Sequence, residues 1–442
     1  VRGLGDRQRD DGPSVLREHT RVTGRLRLDE LPERERAVRD LEIHIRALQD
    51  LQEHALGGAA LVVLARGVQE ARSPSERGRT PRVGGDQLAQ ALELRHLEAV
   101  DVGLDGHVAV GGELGPQGVQ HAFDGARHGE GGIGDPDLDA VLGDDVGALL
   151  VLAASFVAEA GLTATGWDKV VRRLGDAVAA RARTDAALRA HPEHADVPVE
   201  RPIVVTGLPR SGTTALHRLL CADHRHQGLE LWLAAAPQPR PPRAVWAQHP
   251  DHRRMSTEIE RRNAAVPGLK GLHFMSPDTI EECWWLDRQT LRSWSFPSVF
   301  DLPSYTAWLA GQDLTGTYRH HRRVLQLIGS TSPRRRWVLK NPSHVFALDD
   351  LMRVYPDAIV VQTHRDPRET IASVSSLTAR SSAGTSSTFT PERIGPASLE
   401  LWANGLERFR EARSRYDAAQ FVDVDYRDLV ADPVAAVEAV YD

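Results

Sequence analysis

Hydrophobic and polar residues follow two different regimes along this chain, and the change falls near residue 150. Beyond it, short β-branched runs alternate with longer stretches of helical spacing. Trp167–Ala190 repeats Val170, Leu174, Val178 and Ala182 along one face and predicts a helix. Pro192–Pro202 links it to Ile203–Thr206, a β-branched run of the kind that forms a fully buried strand. Helical spacing resumes in Ala215–Leu220. Further strands are predicted at Trp337–Leu339, Ile359–Thr363 and Phe421–Val424, and helices at Pro342–Val354, Pro367–Leu377 and Ala397–Arg413. Residues 280–328 are aromatic and mostly helical. Pro237–Pro250 reads as an irregular loop over the functional site, and Thr378–Thr390 as a Ser/Thr/Gly-rich loop. Strands alternating with helices at this spacing predict an α/β, P-loop-like three-layer fold, its mainly parallel central sheet flanked by helices.

Residues 1–150 sustain no such pattern beyond some periodicity in Arg36–Leu51. They hold one of the 24 aromatics, Phe123, and 23 of the 37 glycines, and no Lys, Trp, Tyr, Cys, Met or Asn. Large side chains supply much of a domain's buried area, so this stretch has little to pack with. Three readings fit: a weakly folded extension, a small domain of unusual composition, or GC-rich DNA translated in an unused frame. The whole chain carries 51 Arg against 3 Lys, which favours the third. Residues 151–442 are the expected functional domain.

Length and charge narrow the function further. A chain of 442 residues can bury a sizeable core, and a net charge of −7 gives no field that favours nucleic acid. Cys221 and Cys283 are too few for a disulfide framework or a Cys-ligated zinc site, and two buried thiols suit a cytoplasmic protein. No signal peptide is visible. The longest apolar run, Ala148–Ala154 with Phe156–Ala158 beyond it, is too short to cross a bilayer. None of the nineteen histidines has a metal-ligand spacing, so no metal is expected.

The chemistry concentrates in Pro202–Thr214, where a strand, a Gly-rich turn and a helix follow one another. That order aims successive backbone N–H groups and a helix N-terminus at an anion. Gly207 to Gly212 fits the frame of a Walker A loop, yet Thr213 stands where that loop requires Lys, and the positive charge sits on Arg210. The loop is built for phosphate, and nucleoside triphosphate is a poor candidate. A second element, Thr363–Ser373, places Arg365 at the C-terminal end of a buried strand, Asp366 as an N-cap, Pro367 at the first helical position and Ser373 almost two turns on. Arg365 and Ser373 can clamp a second phosphate or form a helix cap with a surface ion pair.

Together these elements resemble the sulfotransferases that use 3′-phosphoadenosine 5′-phosphosulfate (PAPS). Leu208–Thr214 is similar to that family's 5′-phosphosulfate loop, in the Pro-Arg-Ser-Gly-Thr-Thr form of the tyrosylprotein sulfotransferases. Arg365 and Ser373 match the spacing of its 3′-phosphate site, and Val424–Leu429 resembles the segment whose Tyr, here Tyr426, contacts adenine. The likeness spans roughly 155–442 and is strongest to the bacterial branch, through Trp337–His344 and Gln362–Pro367. It implies PAPS as sulfuryl donor, held by Arg210, Ser211, Gly212, Thr213, Thr214, Arg365, Ser373 and Tyr426, and a small-molecule or lipid acceptor offering a hydroxyl or amine.

For the general base the resemblance offers two residues. Glu230 lies sixteen positions after Thr214, as in the tyrosylprotein enzymes, and is preferred. His344 follows Lys340 by four, a longer gap than in the cytosolic enzymes; Lys340 itself is placed to stabilise the bridging oxygen. Glu281–Glu282 beside Trp284–Trp285 read as solvated acids next to core packing rather than as an acceptor pocket. Ala215 replaces an adenine-stacking Trp, and the chain ends at Asp442 where relatives continue, so a C-terminal truncation is expected. The alternatives are a P-loop kinase or NTPase and a non-catalytic nucleotide-binding protein.

Overall fold

The computed structural model describes residues 145–265 and 275–441, together with the backbone of a short antiparallel ladder pairing Val100–Val102 with Val108–Val110. The calls on Arg36–Leu51 and on the packing of residues 1–144 lie outside the described residues. The functional part is built on five parallel strands: β1 Ile203–Gly207, β2 His226–Gln227, β3 Arg336–Lys340, β4 Ile359–His364 and β5 Phe421–Asp425. Their order across the sheet is β2-β3-β1-β4-β5.

Every residue of β1 is buried, which a central parallel strand covered on both faces requires. Its alternating side chains serve two cores. Ile203 and Val205 join Leu216, Leu220, Val338, Val361, Val424 and Leu429 on one face. Val204 points the other way, into the larger core with Leu339, Val360, Trp337, Phe346 and Phe409. The first face is covered by α3 (Thr213–Ala222), α12 (Tyr426–Ala431) and α13 (Pro433–Tyr441), the second by α8 (Thr315–Gly329), α9 (Leu348–Val354) and α11 (Pro391–Arg413). This is the three-layer α/β architecture that the alternation of strands and helices predicts.

Several boundaries differ from expectation. Helix α1, Asp145–Ala158, begins before the compositional boundary at 151, and Ala148, Leu149, Leu152 and Phe156 lie in the main core. Asp145 anchors its start by pairing with Arg181 of α2 (Ala164–Ala190) at 2.6 Å and with Arg292. The predicted helix Pro342–Val354 breaks at Ala347 (φ −143°) into a 3-10 turn, Pro342–Phe346, and α9, which lets Phe346 stack on Trp294 at 4.0 Å. Helix α10 runs Pro367–Ser382, past the predicted end at Leu377, because Ser382 Oγ donates back to Thr378 O at 2.7 Å. Helix α11 starts at Pro391, not Ala397, and carries Pro396 within it. The Pro-rich passage is irregular only to Pro242; a 3-10 turn and α5 (Pro250–Ala265) follow. Helices α4 (Leu231–Ala235), α6 (Trp284–Asp287) and α7 (Pro303–Ala310) complete the aromatic region.

Because Leu152 is fully buried in the main core, Leu152→Ala is expected to lower the unfolding free energy by about 2–5 kcal/mol in urea denaturation. A loss under 1 kcal/mol would show that α1 is an appendage and not part of the fold.

Candidate active site

The chain leaves β1 toward β2 on one side of the sheet, whereas β4 leads to β5 on the other. A crevice therefore opens between the C-terminal ends of β1 and β4, the position where parallel α/β sheets bind ligands. Gly207 and Thr363 are register partners there. Gly207 has φ 131°, and a Cβ on it would lie 2.5 Å from Thr363 O, so no other residue fits.

The turn Leu208–Gly212 departs from this point. Arg210 adopts φ 73°, a left-handed conformation unusual for a residue with a side chain, and Gly212 follows at φ 92°. The turn delivers the first N–H groups of α3 to the crevice without intrahelical acceptors. A Cβ on Gly212 would meet Tyr426 and Leu429 at 3.0 Å, so α12 closes one wall of a cradle that a larger residue would fill.

Ser211 lies inside the loop. It is completely buried, its amide and hydroxyl both donate to Leu208 O, at 3.3 and 2.5 Å, and its Oγ lies 2.6 Å from Thr363 Oγ1. It ties the loop to β4 and offers no free side-chain donor. Thr213 is likewise buried, whereas Thr214 is exposed.

The structure brings Arg210, Arg365, Ser373 and Tyr426 together, as the two motifs suggest. Arg210 Nε donates to Ser373 Oγ at 3.2 Å, and Arg365 Nη1 donates to Arg210 O at 3.1 Å. The Arg365 guanidinium lies 4.2 Å from the centre of the Tyr426 ring, and Asp366 caps α10 by accepting from Arg368 N at 2.9 Å. Glu369, which the motifs did not flag, accepts from Arg365 Nε and Nη2 at 2.9 and 2.7 Å. Donors thus gather at two points, the N-terminus of α3 with Arg210 and the neighbouring Arg365 and Ser373.

Lys340, at the end of β3, reaches the same loop. Its ammonium donates to Thr214 Oγ1 at 3.1 Å and is ion-paired with Glu282. The neighbouring Cys283 N–H donates to Lys340 O at 2.9 Å, which fixes the Glu281–Cys283 segment beside the strand. Glu281 and Glu282 are thus part of the site and not solvated acids. Burial, with the charge of Glu282 second, pushes the Glu281 carboxyl up to about 7.

The two expected bases are both buried. Glu230 Oε2 accepts from Arg240 Nε and Nη2 at 3.1 and 3.0 Å, in a pair enclosed on both sides. It lines a cavity of about 520 Å³ with Cys221, Gln227, Arg240, Trp246 and Ile280. His344 is 2% exposed and its Nδ1 lies 2.8 Å from the Tyr318 hydroxyl. Burial holds its pKa well below the ordinary imidazole value. A 3-10 turn, not an α-helix, follows β3 and carries His344. Among the described residues, no group of three or more His, Cys, Asp or Glu side chains could hold a metal ion, and no helix is long and apolar enough to cross a membrane.

Residues 202–442 match the sulfotransferase family. The chain belongs to that family. Among solved structures, this sulfotransferase-family chain is similar to sulfotransferase STF1 from Mycobacterium tuberculosis H37Rv, with a TM-score of 0.66 and 50% identity over 67% of this chain and 82% of that one. STF9 from Mycobacterium avium gives a TM-score of 0.62 and 26% identity over 66% and 76% of the two chains. The omega-hydroxy-beta-dihydromenaquinone-9 sulfotransferase Stf3 of Mycobacterium bovis is 24% identical over 256 residues, as is that of Mycobacterium tuberculosis. That match covers 54% of this chain, which spans 61% of the length of those curated relatives.

The raised Glu281 pKa has a measurable consequence. An acid held above its unfolded value of 4.5 favours the folded state only while protonated, so its contribution is lost as pH rises from 4.5 through about 7. Glu281→Gln should match the wild type in urea denaturation at pH 4 and exceed it by roughly 3 kcal/mol at pH 8. A difference that does not change with pH would contradict this placement.

Proposed function

We propose that this protein transfers a sulfuryl group from PAPS to a hydroxyl on a small-molecule or lipid acceptor. The observation that carries the reading is the convergence of Arg210, Arg365, Ser373 and Tyr426 around the α3 N-terminus, two cationic subsites where a triphosphate loop would have one lysine. Arg210 and the free amides of Gly212–Thr214 hold the 5′-phosphate, and Arg365 with Ser373 holds the 3′-phosphate while Tyr426 borders the adenine. Ser211 supports the loop from behind.

PAPS supplies a sulfur already bonded to a good leaving group, a phosphate oxygen. As the acceptor oxygen bonds to sulfur, the bond from sulfur to that phosphate oxygen breaks, and the acceptor's proton must go to a base. Glu282 is the base we assign, because its carboxylate is partly open to solvent and sits against Lys340, which touches Thr214 of the loop. Lys340 then stabilises charge on the departing oxygen. Glu230 serves less well, since its carboxylate is enclosed against Arg240 and less open to an acceptor than that of Glu282. The hydroxylated quinone lipid in the names of the Stf3 relatives supports a hydroxyl acceptor. Two free cysteines, Cys221 and Cys283, support a reducing cytoplasmic setting.

Two measurements test this reading. 3′-Phosphoadenosine 5′-phosphate should raise the melting temperature where ATP and ADP do not, and Arg365→Ala should abolish that discrimination without unfolding the protein; a preference for ATP would point to an NTPase. Once an acceptor is in hand, Glu282→Gln should lower kcat by about 10²–10⁴-fold with nucleotide affinity retained. An equal loss in Glu230→Gln with Glu282→Gln fully active would move the base to Glu230.

A further inference from the structure

Beyond the stacked rings of Trp284 and Trp285, which Arg288 touches, four cations gather from three elements. Arg288 follows α6, Lys169 and Arg173 lie on α2, and Arg262 lies near the end of α5. Arg288 sits 4.2 Å from the Trp284 ring centre and 4.8 Å from that of Trp285, and Arg173 sits 5.6 Å from that of Phe300. Lys169 donates to Ser381 O at 2.5 Å, and Arg262 donates to the Met275 sulfur at 3.2 Å. Each of Lys169, Arg173 and Arg288 feels the positive charge of at least one other member, and Asp176 is the acid that acts on Arg173 and Arg288. Among the described residues none of the four has an ion-pair partner.

Arg288 is the decisive member. It is 8% exposed, its Nε is buried without a hydrogen-bond partner, and no described residue accepts from its other nitrogens. An enclosed guanidinium with no acceptor is costly to the fold by itself, and Arg173 beside it adds repulsion that Asp176 offsets only in part. Burial and neighbouring cations together pull Lys169 down to about 8, which records the same unbalanced field. Such a cluster is stable in use only when an anion fills it.

Its position says which anion. Arg288 lies six residues beyond Glu282 along a helical path, on the order of 10 Å away. The stacked tryptophans span the interval. We infer that the acceptor of this enzyme carries an oxyanion group, a carboxylate or a phosphate, seated among Arg288, Arg173, Arg262 and Lys169 with its chain along Trp284–Trp285 and its hydroxyl at Glu282. The inference rests on Glu282 marking the reaction centre. The acceptor is then an acidic hydroxylated amphiphile, and the cluster selects it against neutral alcohols of the same length.

Binding by isothermal titration calorimetry tests this with three probes of one length: 10-hydroxydecanoate, 10-hydroxydecyl phosphate and decane-1,10-diol, each added to protein saturated with 3′-phosphoadenosine 5′-phosphate. At least one anionic probe should bind about tenfold or more tightly than the diol, and the tighter of the two identifies the oxyanion. Arg173→Gln and Arg262→Gln should each erase most of that preference and leave diol binding unchanged; Arg173 is only partly buried and Arg262 is exposed, so they decide the question even if Arg288→Gln fails to fold. Equal affinity for all three probes, or a preference that survives both substitutions, overturns the proposal. Failure of the nucleotide to bind would count against the PAPS reading alone, because the probe ratio measured without nucleotide still reports on the cation cluster.

Discussion

The close approach of β4 to β1 at Gly207 governs the candidate site. Gly207 has room for no Cβ against Thr363 O, and Ser211 Oγ bridges to Thr363 Oγ1 four residues later. These contacts fix both ends of the loop to the neighbouring strand. Once they are fixed, Arg210 is carried through a left-handed backbone to face Ser373, and Arg365 leaves β4 within reach of the Arg210 carbonyl. Two segments 155 residues apart in sequence thereby become one anion site. A looser loop would leave Arg210 and Arg365 as unrelated surface cations.

Three cation–carboxylate pairs surround this crevice, and their enclosure separates their roles. Glu369 and Glu282, the partners of Arg365 and Lys340, have side chains 58% and 25% exposed. Water can take over either carboxylate when a ligand phosphate takes its cation, so the exchange costs little. Glu230 and Arg240 are 11% and 7% exposed, and separating them strands two charges in the interior. The same residue type therefore acts as a replaceable counterion in two places and as a fixed strut in the third. The missing Walker lysine follows this logic, since Lys340 brings its charge from β3 and leaves the loop's own amides open.

Much of this was readable from the chain. Ile203–Thr206, Ile359–Thr363 and Phe421–Val424 are β-branched or apolar runs at strand length, and burial on both faces leaves the first two little alternative. Turn chemistry likewise exposed the loop and the Asp366–Pro367 helix start. Two-residue β2 carries no periodicity at all and exists because β3 pairs with it. Composition hid the start of α1, whose Asp145 is held by arginines 36 and 147 positions away. Glu282 was passed over because its partner Lys340 lies 58 residues on, and spacing rules cannot see a pair made by the sheet. For His344 the distance from Lys340 was visible in the sequence and the enclosure by Tyr318 was not.

Local geometry also explains how a buried arginine stays unpaired with an acid beside it in sequence. Asp287 immediately precedes Arg288, yet adjacent helical residues point to different sides and cannot face each other. Asp287 turns toward β3, where it accepts from Asn341 Nδ2 at 3.0 Å and keeps Oδ1 without a partner. Burial raises its carboxyl to about 7, so near neutrality it is partly uncharged and contributes little counter-field. Arg288 turns toward the tryptophans, where the rings offer a π-face and no full negative charge. The helix thus separates the two charges that could have cancelled, and the positive side is the one turned toward the aromatic path from Glu282.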